Sequence, residues 1–282
     1  MSKTLLIADD DTSGRKRFTE ALSADGYDII DVGNGASALD VIKARHIDVL
    51  ITDDTLPGLD GIKLLERAHE LQPKLRAIVI TSHGTPDAVI GALDNQACDF
   101  LSKPFELEEL RDAVRSAFER AASCEVEVLS AKPNWIEIHL PCDLKAVEPI
   151  QNFLTGIEGD LPQEMREEIG SAFREMLNNA IEHGGKSDLS RKVRVKYIRL
   201  KRAILYSIQD PGEGFDIDKI EHAAFANPPD DPLRHMAVRE QEGIRPGGFG
   251  IMLASQAIDE LVFNEKHNEL IFVKYLDENQ KA

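Results

Sequence analysis

Five short apolar segments recur in the N-terminal part of the chain, and amphipathic stretches such as 61–71 separate them. The segments are TLLIA at 4–8, YDIIDV at 27–32, DVLIT at 48–52, AIVIT at 77–81 and DFLS at 99–102. Alternation of strand-like and helix-like segments predicts an α/β fold with a doubly wound parallel sheet. Ligands of such sheets bind at the carboxyl ends of the strands. The residues that come directly after each segment are therefore the first candidates for a functional site.

Carboxylates, a hydroxyl and a lysine follow these strands. In chain order they are Asp9, Asp10, Asp11, Asp53, Asp54, Thr81 and Lys103. Clustered carboxylates repel one another in a partly dry pocket, so they need a cation unless they are protonated. Mg²⁺ prefers oxygen ligands and is held by one or two carboxylates plus water. A hydroxyl and a lysine can then hold an incoming phosphoryl group, which one aspartate accepts as a nucleophile.

Some of these aspartates have a simpler interpretation. An Asp after a strand is commonly a helix N-cap or a turn residue, and we interpret Asp11, Asp54 and Asp60 in this way. Asp54 competes with Asp53 for the role of nucleophile. Adjacent residues of a strand point to opposite faces, and we favour Asp53.

The N-terminal motifs resemble those of the response-regulator receiver family over about residues 1–122. The resemblance rests on IADDD at 7–11, ITDDTLPGLDG at 51–61, VITS at 79–82 and FLSKPF at 100–105. It implies a flavodoxin-like fold and phosphorylation of Asp53, in the pattern D-x-x-M/L-P, by a cognate sensor histidine kinase. It also implies a Mg²⁺ site that includes Asp53. The matching metal-binding acid pair, switch hydroxyl, lysine and switch aromatic residue are Asp9 with Asp10, Thr81, Lys103 and Phe100.

The periodicity of the apolar residues changes from helical to strand-like near residues 122–133. Residues 107–121 have helical apolar spacing and fit a last receiver helix. CEVEVLS at 124–130 and WIEIHLP at 135–141 alternate with a period of two around a Pro-Asn break, which predicts two strands joined by a turn. We therefore predict a receiver domain at 1–122, a linker at 123–133 and a second domain at 134–282.

The same segment argues against one class of kinase. A sensor histidine kinase would carry a long helical hairpin with its substrate histidine ahead of the ATPase domain. Both apolar runs here have strand periodicity instead, and His139 is interpreted as part of a sheet face. Autophosphorylation on histidine is therefore disfavoured.

A polar-faced helix opens the candidate site of the second half. SAFREMLNNAIEH at 171–183 has apolar residues at helical spacing on one side. Glu175, Asn179, Glu182 and His183 fall on the other side. A polar face is usually just solvated, so this helix gains meaning only from the motifs downstream of it.

Two glycine-containing motifs lie downstream of the helix. YSIQDPGEGFD at 206–216 is a strand that runs into a D-x-G-x-G turn, where glycines permit a close approach of ligand to backbone. RPGGFGIMLASQAID at 245–259 leads from glycines into an apolar helix, and amides at a helix N-terminus suit phosphate. The residues concerned are Asp210, Gly212 and Gly214 in the first motif and Gly247, Gly248 and Gly250 in the second.

This order of motifs resembles the ATPase superfamily of gyrase, heat-shock chaperones, histidine kinases and mismatch-repair proteins, over about residues 134–276. Within it, EMLNNAIEH and GGFGIMLASQAID are similar to the anti-sigma-factor serine kinases. The resemblance implies an α+β domain with a mixed sheet that binds ATP and Mg²⁺. It implies that Asn179 coordinates the metal, that Asp210 bonds the adenine amino group, and that Glu175 is the general base.

The remaining roles implied by this resemblance concern the base pocket, the phosphates and the lid. Gly212 and Gly214 would line the base pocket, and Gly247, Gly248 and Gly250 would hold phosphate. For His183, a phosphate contact and a structural role at the helix end both stay open. Residues 215–246 would form the ATP lid, whose arginines are Arg234, Arg239 and Arg245.

Composition limits the partners. The formal net charge of the 282 residues is -17, which argues against nucleic acid because binding there depends on Lys and Arg. The N-terminus does not have the pattern of a signal peptide, and no stretch is long enough to span a bilayer. The three cysteines lack metal-ligand spacing and predict reduced thiols in a cytoplasmic protein. The basic run at 191–202 is interpreted as a strand whose charges discourage edge pairing, with docking of an acidic partner as the alternative.

The sequence thus predicts a two-component response regulator. Phosphorylation of Asp53 would control an output domain that acts as a protein-serine kinase on an anti-sigma-factor-antagonist-like partner. The alternative is a non-catalytic ATP-binding module that sequesters a sigma factor or another protein. A homodimer is left open.

Overall fold

The computed structural model describes residues 3–82, 84–119, 126–214 and 257–276. The chain divides into two compact units. The first contains the described residues up to 119 together with 131–133 and 148–160, and the second contains 126–130, 134–147 and the described residues from 161 onwards. Within these described parts, no helix is long and apolar enough to cross a membrane.

A five-stranded parallel sheet forms the centre of the first unit, as predicted. Its strands are β1 Thr4–Ala8, β2 Asp28–Val32, β3 Val49–Asp53, β4 Arg76–Thr81 and β5 Asp99–Ser102. Their order in the sheet is β2-β1-β3-β4-β5. Every residue of β3 is buried, because parallel sheets carry helices on both faces.

Five helices accompany this sheet: α1 Thr12–Ala24, α2 Gly35–Ala44, α3 Gly61–Leu71, α4 Pro86–Asp94 and α5 Leu107–Glu119. Side chains fix where they begin. The Asp11 carboxylate accepts from the backbone N–H groups of Ser13 and Gly14, and Asp60 accepts from Lys63 N–H. The interpretation of Asp11 and Asp60 as helix caps is therefore confirmed.

The second part of the chain begins with the predicted hairpin, β6 Glu127–Lys132 and β7 Trp135–Pro141. A 3₁₀ turn at Leu144–Ala146 leads to α6 Val147–Ile157 and α7 Gln163–Asn179, and α7 continues as a π-helical turn at Ala180–Gly184. Strands β8 Lys192–Arg199, β9 Ala203–Gln209, β10 Glu260–Phe263 and β11 Glu269–Tyr275 complete a sheet of order β10-β11-β9-β8-β7-β6.

This sheet is antiparallel in the pairings β10–β11, β11–β9, β9–β8 and β8–β7, where mixed pairing was expected. Between β8 and β9 the chain reverses through a short connection without a crossover helix, which requires antiparallel pairing of these two strands. Phe173 of α7 packs on Tyr206 with ring centroids 5.2 Å apart, and Tyr206 stacks on Phe272 at 4.8 Å. These aromatic contacts fix α7 on the sheet.

The basic strand β8 lies inside the sheet, so the interpretation that its charges protect an edge is wrong. Glutamates on β6, β7 and β11 form ion pairs with its basic residues instead. The pairs are Lys192–Glu127, Arg194–Glu137 and Lys196–Glu269. His139 lies in β7 beside Glu127, which confirms its placement on a sheet face.

Candidate functional site

The carboxyl ends of β1, β3 and β5 bring three predicted site residues together. The Lys103 ammonium lies 2.9 Å from an Asp9 oxygen and 2.7 Å from an Asp53 oxygen. Asp9 and Asp53 are only 1% and 5% exposed. Burial lowers the pKa of Lys103, but its hydrogen bonds to Asp53 and Asp9 outweigh this effect and raise the pKa above its ordinary value. The lysine is therefore a permanent cation between two buried carboxylates.

Strand register explains this convergence. Ala8 of β1 lies beside Thr52 of β3, so the next residues, Asp9 and Asp53, emerge at the same edge. The Lys103 N–H donates to the carbonyl of Thr81 at 2.7 Å, which ties the end of β5 to that of β4. Each carboxylate also accepts a backbone N–H two residues further on: Asp11 N–H to Asp9 and Thr55 N–H to Asp53.

The donor set fits a magnesium ion in part. Asp9 and Asp53 offer two buried carboxylates at one edge, and Mg²⁺ is held by one or two carboxylates while keeping several waters. Asp10, the third predicted ligand, is exposed. In the described residues no group of three or more His, Cys, Asp and Glu side chains is arranged around a metal position. The Mg²⁺ assignment of Asp9, Asp10 and Asp53 thus stays a prediction.

Asp54 lies in the bend that follows β3, as expected of a turn residue, and its backbone carbonyl accepts Gly61 N–H at 3.0 Å. Its carboxylate accepts a hydrogen bond from the Thr81 hydroxyl at 2.9 Å and from Thr55 at 3.3 Å. Burial, together with the charge of Asp53, raises the pKa of Asp54 to about 6 against the lowering effect of the Thr81 hydrogen bond. Asp54 therefore holds the predicted switch hydroxyl of Thr81 beside Asp53. The sequence shows the acidic pair but does not indicate this hydrogen bond.

The candidate nucleotide site of the second unit starts on α7. Glu175 and Asn179 are four residues apart in this helix, so they share a face. Both are half-buried, and His183 is exposed. The change from α-helix to π-helix comes directly after Asn179. π-helical turns inside α-helices occur frequently at functional sites.

The end of this helix contacts the D-x-G-x-G turn. A Cβ on Gly184 would overlap the Asp210 carboxyl group, so only glycine lets the two segments approach. The Asp210 carboxylate accepts from Gly212 N–H at 2.7 Å. Burial raises the pKa of Asp210, although Gly212 N–H and the charge of Arg191 oppose the shift. A half-buried carboxylate of this kind can accept a hydrogen bond from a ligand amino group.

Two residues outside the predicted motifs hold the turn in place. The Asn268 side chain donates to the carbonyl oxygens of Asp210 and Gly212, at 3.5 and 3.3 Å, and the backbone carbonyl of Asn268 accepts Asp210 N–H at 2.9 Å. Arg191 donates to the Pro211 carbonyl. Neither residue carries a local sequence pattern that would reveal this role, since both lie far from the turn in sequence.

Part of the predicted site lies outside the described residues. This applies to Gly247, Gly248 and Gly250, to the lid at 215–246 and to its arginines Arg234, Arg239 and Arg245. Gly214, the last described residue before this part, has a positive φ of 86°, which suits a glycine. The structure therefore describes the helix and the Asp210 turn of the site.

Two protein families match the chain, one in each half. The response regulator receiver domain matches residues 5–115, and the histidine kinase-like ATPase domain matches residues 140–274. Sporulation initiation phosphotransferase F of Bacillus subtilis is 32% identical over 115 residues, which is 41% of this chain and 93% of that protein. The chain thus belongs to the response regulators, with a receiver domain followed by a histidine-kinase-like ATPase domain.

Other relatives are similar over the receiver alone. The DNA-binding transcriptional regulator NtrC of Escherichia coli K12 is 36% identical over 103 residues, but the chain spans only 22% of NtrC. A putative response regulator from Chloroflexus aurantiacus is 34% identical, with a TM-score of 0.40 and coverage of 43% of this chain and all of that one. A receiver domain protein from Methanospirillum hungatei is 26% identical, with a TM-score of 0.40 and coverage of 41% and 92%.

Proposed function

We propose that a sensor histidine kinase phosphorylates this protein on Asp53, and that the phosphorylation state controls an ATP-dependent protein-serine kinase in the second domain. The substrate would be a serine of an anti-sigma-factor-antagonist-like partner. The observation that carries the proposal is that α7, which bears Glu175 and Asn179 on one face, ends at Gly184 against Asp210. One helix would thereby connect the general base Glu175 and the metal ligand Asn179 with Asp210, the carboxylate proposed to bind adenine.

In the receiver, an Asp53 carboxylate oxygen would attack the phosphorus of a phosphohistidine or an acyl phosphate. The new P–O bond makes an aspartyl phosphate, and the donor leaves as imidazole or carboxylate. Lys103 neutralises negative charge at this position, since it already lies 2.7 Å from Asp53. Asp9 and Asp53, with Asp10, would hold Mg²⁺, which supplies further positive charge to the phosphoryl group.

In the second domain, the Asp210 carboxylate would accept a hydrogen bond from the adenine amino group. Glu175 would take the proton of a substrate serine hydroxyl while its oxygen attacks the terminal phosphorus of ATP, and ADP would leave. Asn179 would hold the metal at the phosphates. Gly247, Gly248 and Gly250 would bind phosphate through backbone N–H groups.

The test of the kinase half replaces the base without changing its shape. Glu175→Gln should retain ATP affinity in calorimetry but lose phosphoryl transfer to a candidate antagonist by about 10²–10⁴-fold. Glu167→Gln is the matched control, because Glu167 lies exposed on the same helix and accepts only from Gln163 among its described hydrogen bonds. Transfer by the Glu175 variant within a few-fold of wild type would refute the base assignment.

One further outcome would change the class of function. If the wild-type protein transfers no phosphate but forms a tight ATP-dependent complex with its partner, the second domain is the non-catalytic binding module.

The receiver half has its own test. Acetyl phosphate with Mg²⁺ should label Asp53, and Asp53→Asn should abolish the label. Asp54→Asn is the matched control and should still be labelled. Phosphosite mapping that placed the phosphoryl group on Asp54 would show that the assignment is wrong.

A further inference from the structure

The backbone of the D-x-G-x-G turn is held by side chains from outside the motif. Three consecutive carbonyl groups, those of Asp210, Pro211 and Gly212, accept these hydrogen bonds. Asn268 donates to the first and the third, at 3.5 and 3.3 Å, and Arg191 donates to the second. Arg191 lies just before β8 and Asn268 just before β11. Donors from two different strands of the sheet therefore fix successive peptide groups of the turn.

Strand register places Asn268 beside Asp210. Gln209 at the end of β9 is paired with Glu269 at the start of β11. The residues one step further out, Asp210 and Asn268, are therefore neighbours across the antiparallel ladder. The Asp210 N–H donates to the backbone carbonyl of Asn268 at 2.9 Å. The Asn268 side chain thus starts from a fixed position next to the turn that it holds.

The partners of the Asn268 amide determine its orientation. Carbonyl oxygens can only accept, so the amide nitrogen of Asn268 has to face Asp210 and Gly212. The amide oxygen of Asn268 then accepts from the Asn264 side chain at 2.8 Å. The Asn264 oxygen in turn accepts the backbone N–H groups of Asn268 and Glu269, at 3.1 and 3.2 Å. Both amides therefore have one consistent orientation, and a satisfied network of this kind is rigid.

The same β10–β11 turn, residues 264–268, also contacts the far end of the motif. A Cβ on Gly214 would overlap the Lys266 carbonyl oxygen, so the two backbones lie in direct contact. Gly214 has a positive φ of 86°, which suits a glycine. The β10–β11 turn therefore supports the motif from Asp210 to Gly214.

The Asp210 side chain is confined as closely as its backbone. Its Oδ1 accepts Gly212 N–H at 2.7 Å. A Cβ on Gly184 would overlap the carboxyl group, and one on Gly212 would lie 2.6 Å from Oδ1. With so little freedom of rotation, the direction of the second oxygen follows the position of the turn. The charge of Arg191 also lowers the pKa of Asp210 against the effect of burial, which favours the carboxylate.

We propose that Asn268 and Arg191 are positioning residues that determine the selectivity of the second domain for adenine over purines without the amino group. The proposal rests on the proposed function, in which Asp210 binds that amino group. A carboxylate that is fixed beforehand loses little freedom on binding, and a hydrogen bond weakens steeply when its direction changes. Removing a positioning residue should therefore weaken recognition of the amino group and leave the other contacts of the nucleotide unchanged.

The test compares two nucleotides that differ only at this group. ATP carries the amino group, and purine riboside triphosphate carries hydrogen in its place. Calorimetry of the full chain with Mg²⁺ should show a preference for ATP of about tenfold to a hundredfold, as expected of a hydrogen bond to a charged group. Asn268→Ala should reduce this preference about fivefold, the typical effect of a neutral hydrogen bond, without changing the affinity for purine riboside triphosphate.

A second variant makes the test independent of the folding of the first. Arg191→Met removes the other donor together with its charge and should also reduce the preference for ATP. Glu265→Ala is the matched control, since Glu265 is exposed in the same β10–β11 turn, and it should keep the wild-type preference. The melting temperature of each variant shows that it is folded.

The possible failures can be told apart. A wild-type preference in both variants would overturn the proposal. An equal loss of affinity for the two nucleotides would overturn it as well, because a purely structural role predicts that result. A wild-type protein that binds both nucleotides equally would refute the assignment of Asp210 to the amino group, and the positioning roles with it. A wild-type protein that binds neither nucleotide would refute the proposed nucleotide site itself.

Discussion

Removal of the Lys103 ammonium should destabilise the receiver in the absence of metal. Lys103→Met keeps the stem of the side chain but leaves the carboxylates of Asp9 and Asp53, which are 2% and 6% exposed in their side chains, without their shared cation. Removing one partner of a buried ion pair costs about 3–5 kcal/mol. Since the Lys103 side chain is itself 23% exposed, solvent screens part of the interaction, and we take the lower end, about 3 kcal/mol.

Calorimetry of the full chain in EDTA at about pH 8 measures this cost. A loss of about 3 kcal/mol corresponds to a decrease of about 10 °C in the melting temperature of the receiver transition. Added Mg²⁺ should restore much of it, since the ion replaces the missing positive charge. The control is Lys63→Met, which removes the exposed pair Lys63–Asp60 and should barely shift the transition. A Lys103 variant that melts within about 2 °C of wild type in EDTA would refute the reasoning.

Three further predictions concern single groups. The pKa of Asp54 is about 6 in the folded protein, against an ordinary value of 3.8. Protonated Asp54 therefore adds to the free energy of unfolding at low pH, and this contribution is lost as the pH rises through about 6. Asp54→Asn should abolish that part of the pH dependence in denaturation experiments in EDTA. Gly61→Ala should destabilise the receiver more than Gly26→Ala, because a Cβ would overlap the Asp53 carbonyl in the first case, whereas the second has free space and adds only the strain of a positive φ of 89°; equal melting temperatures would contradict this. ATP affinity should fall as acidification protonates Asp210, because burial raises the pKa of Asp210 above its ordinary value and a protonated carboxyl group is a weaker acceptor for the adenine amino hydrogen than a carboxylate; Asp210→Asn should lose this part of the calorimetric pH profile.

The strand ends could be predicted because periodicity and topology determine them. Five apolar runs imply a parallel sheet, and a parallel sheet places the residues after each strand at one edge. Asp9, Asp53 and Lys103 meet there for this reason, although 94 positions separate Asp9 from Lys103. The hydrogen bond of Asp54 with Thr81 could not be predicted, because the direction of a side chain just beyond a strand depends on the bend after it, which has no periodic signal.

Tertiary packing explains the other differences. The apolar spacing of α6 indicates a buried face but not which surface buries it, so its place beside Phe100 lay outside what periodicity can show. The π-helical turn after Asn179 likewise adds a local change of winding that the 3.6-residue pattern of EMLNNAIEH does not contain. The same change of winding leads the chain to Gly184 and so to Asp210.

The key carboxylates of the two candidate sites, Asp53 and Asp210, differ in their surroundings. Asp53 accepts a backbone N–H and faces the Lys103 ammonium directly, so its negative charge is stabilised and suited to nucleophilic attack. Asp210 accepts a backbone N–H, but burial still raises its pKa, so it gains most when a ligand provides a further donor. The surroundings of Asp53 therefore favour chemistry at the carboxylate, and those of Asp210 favour recognition of an amino group. This division agrees with the proposed phosphorylation of the receiver and the proposed reversible nucleotide binding of the second domain.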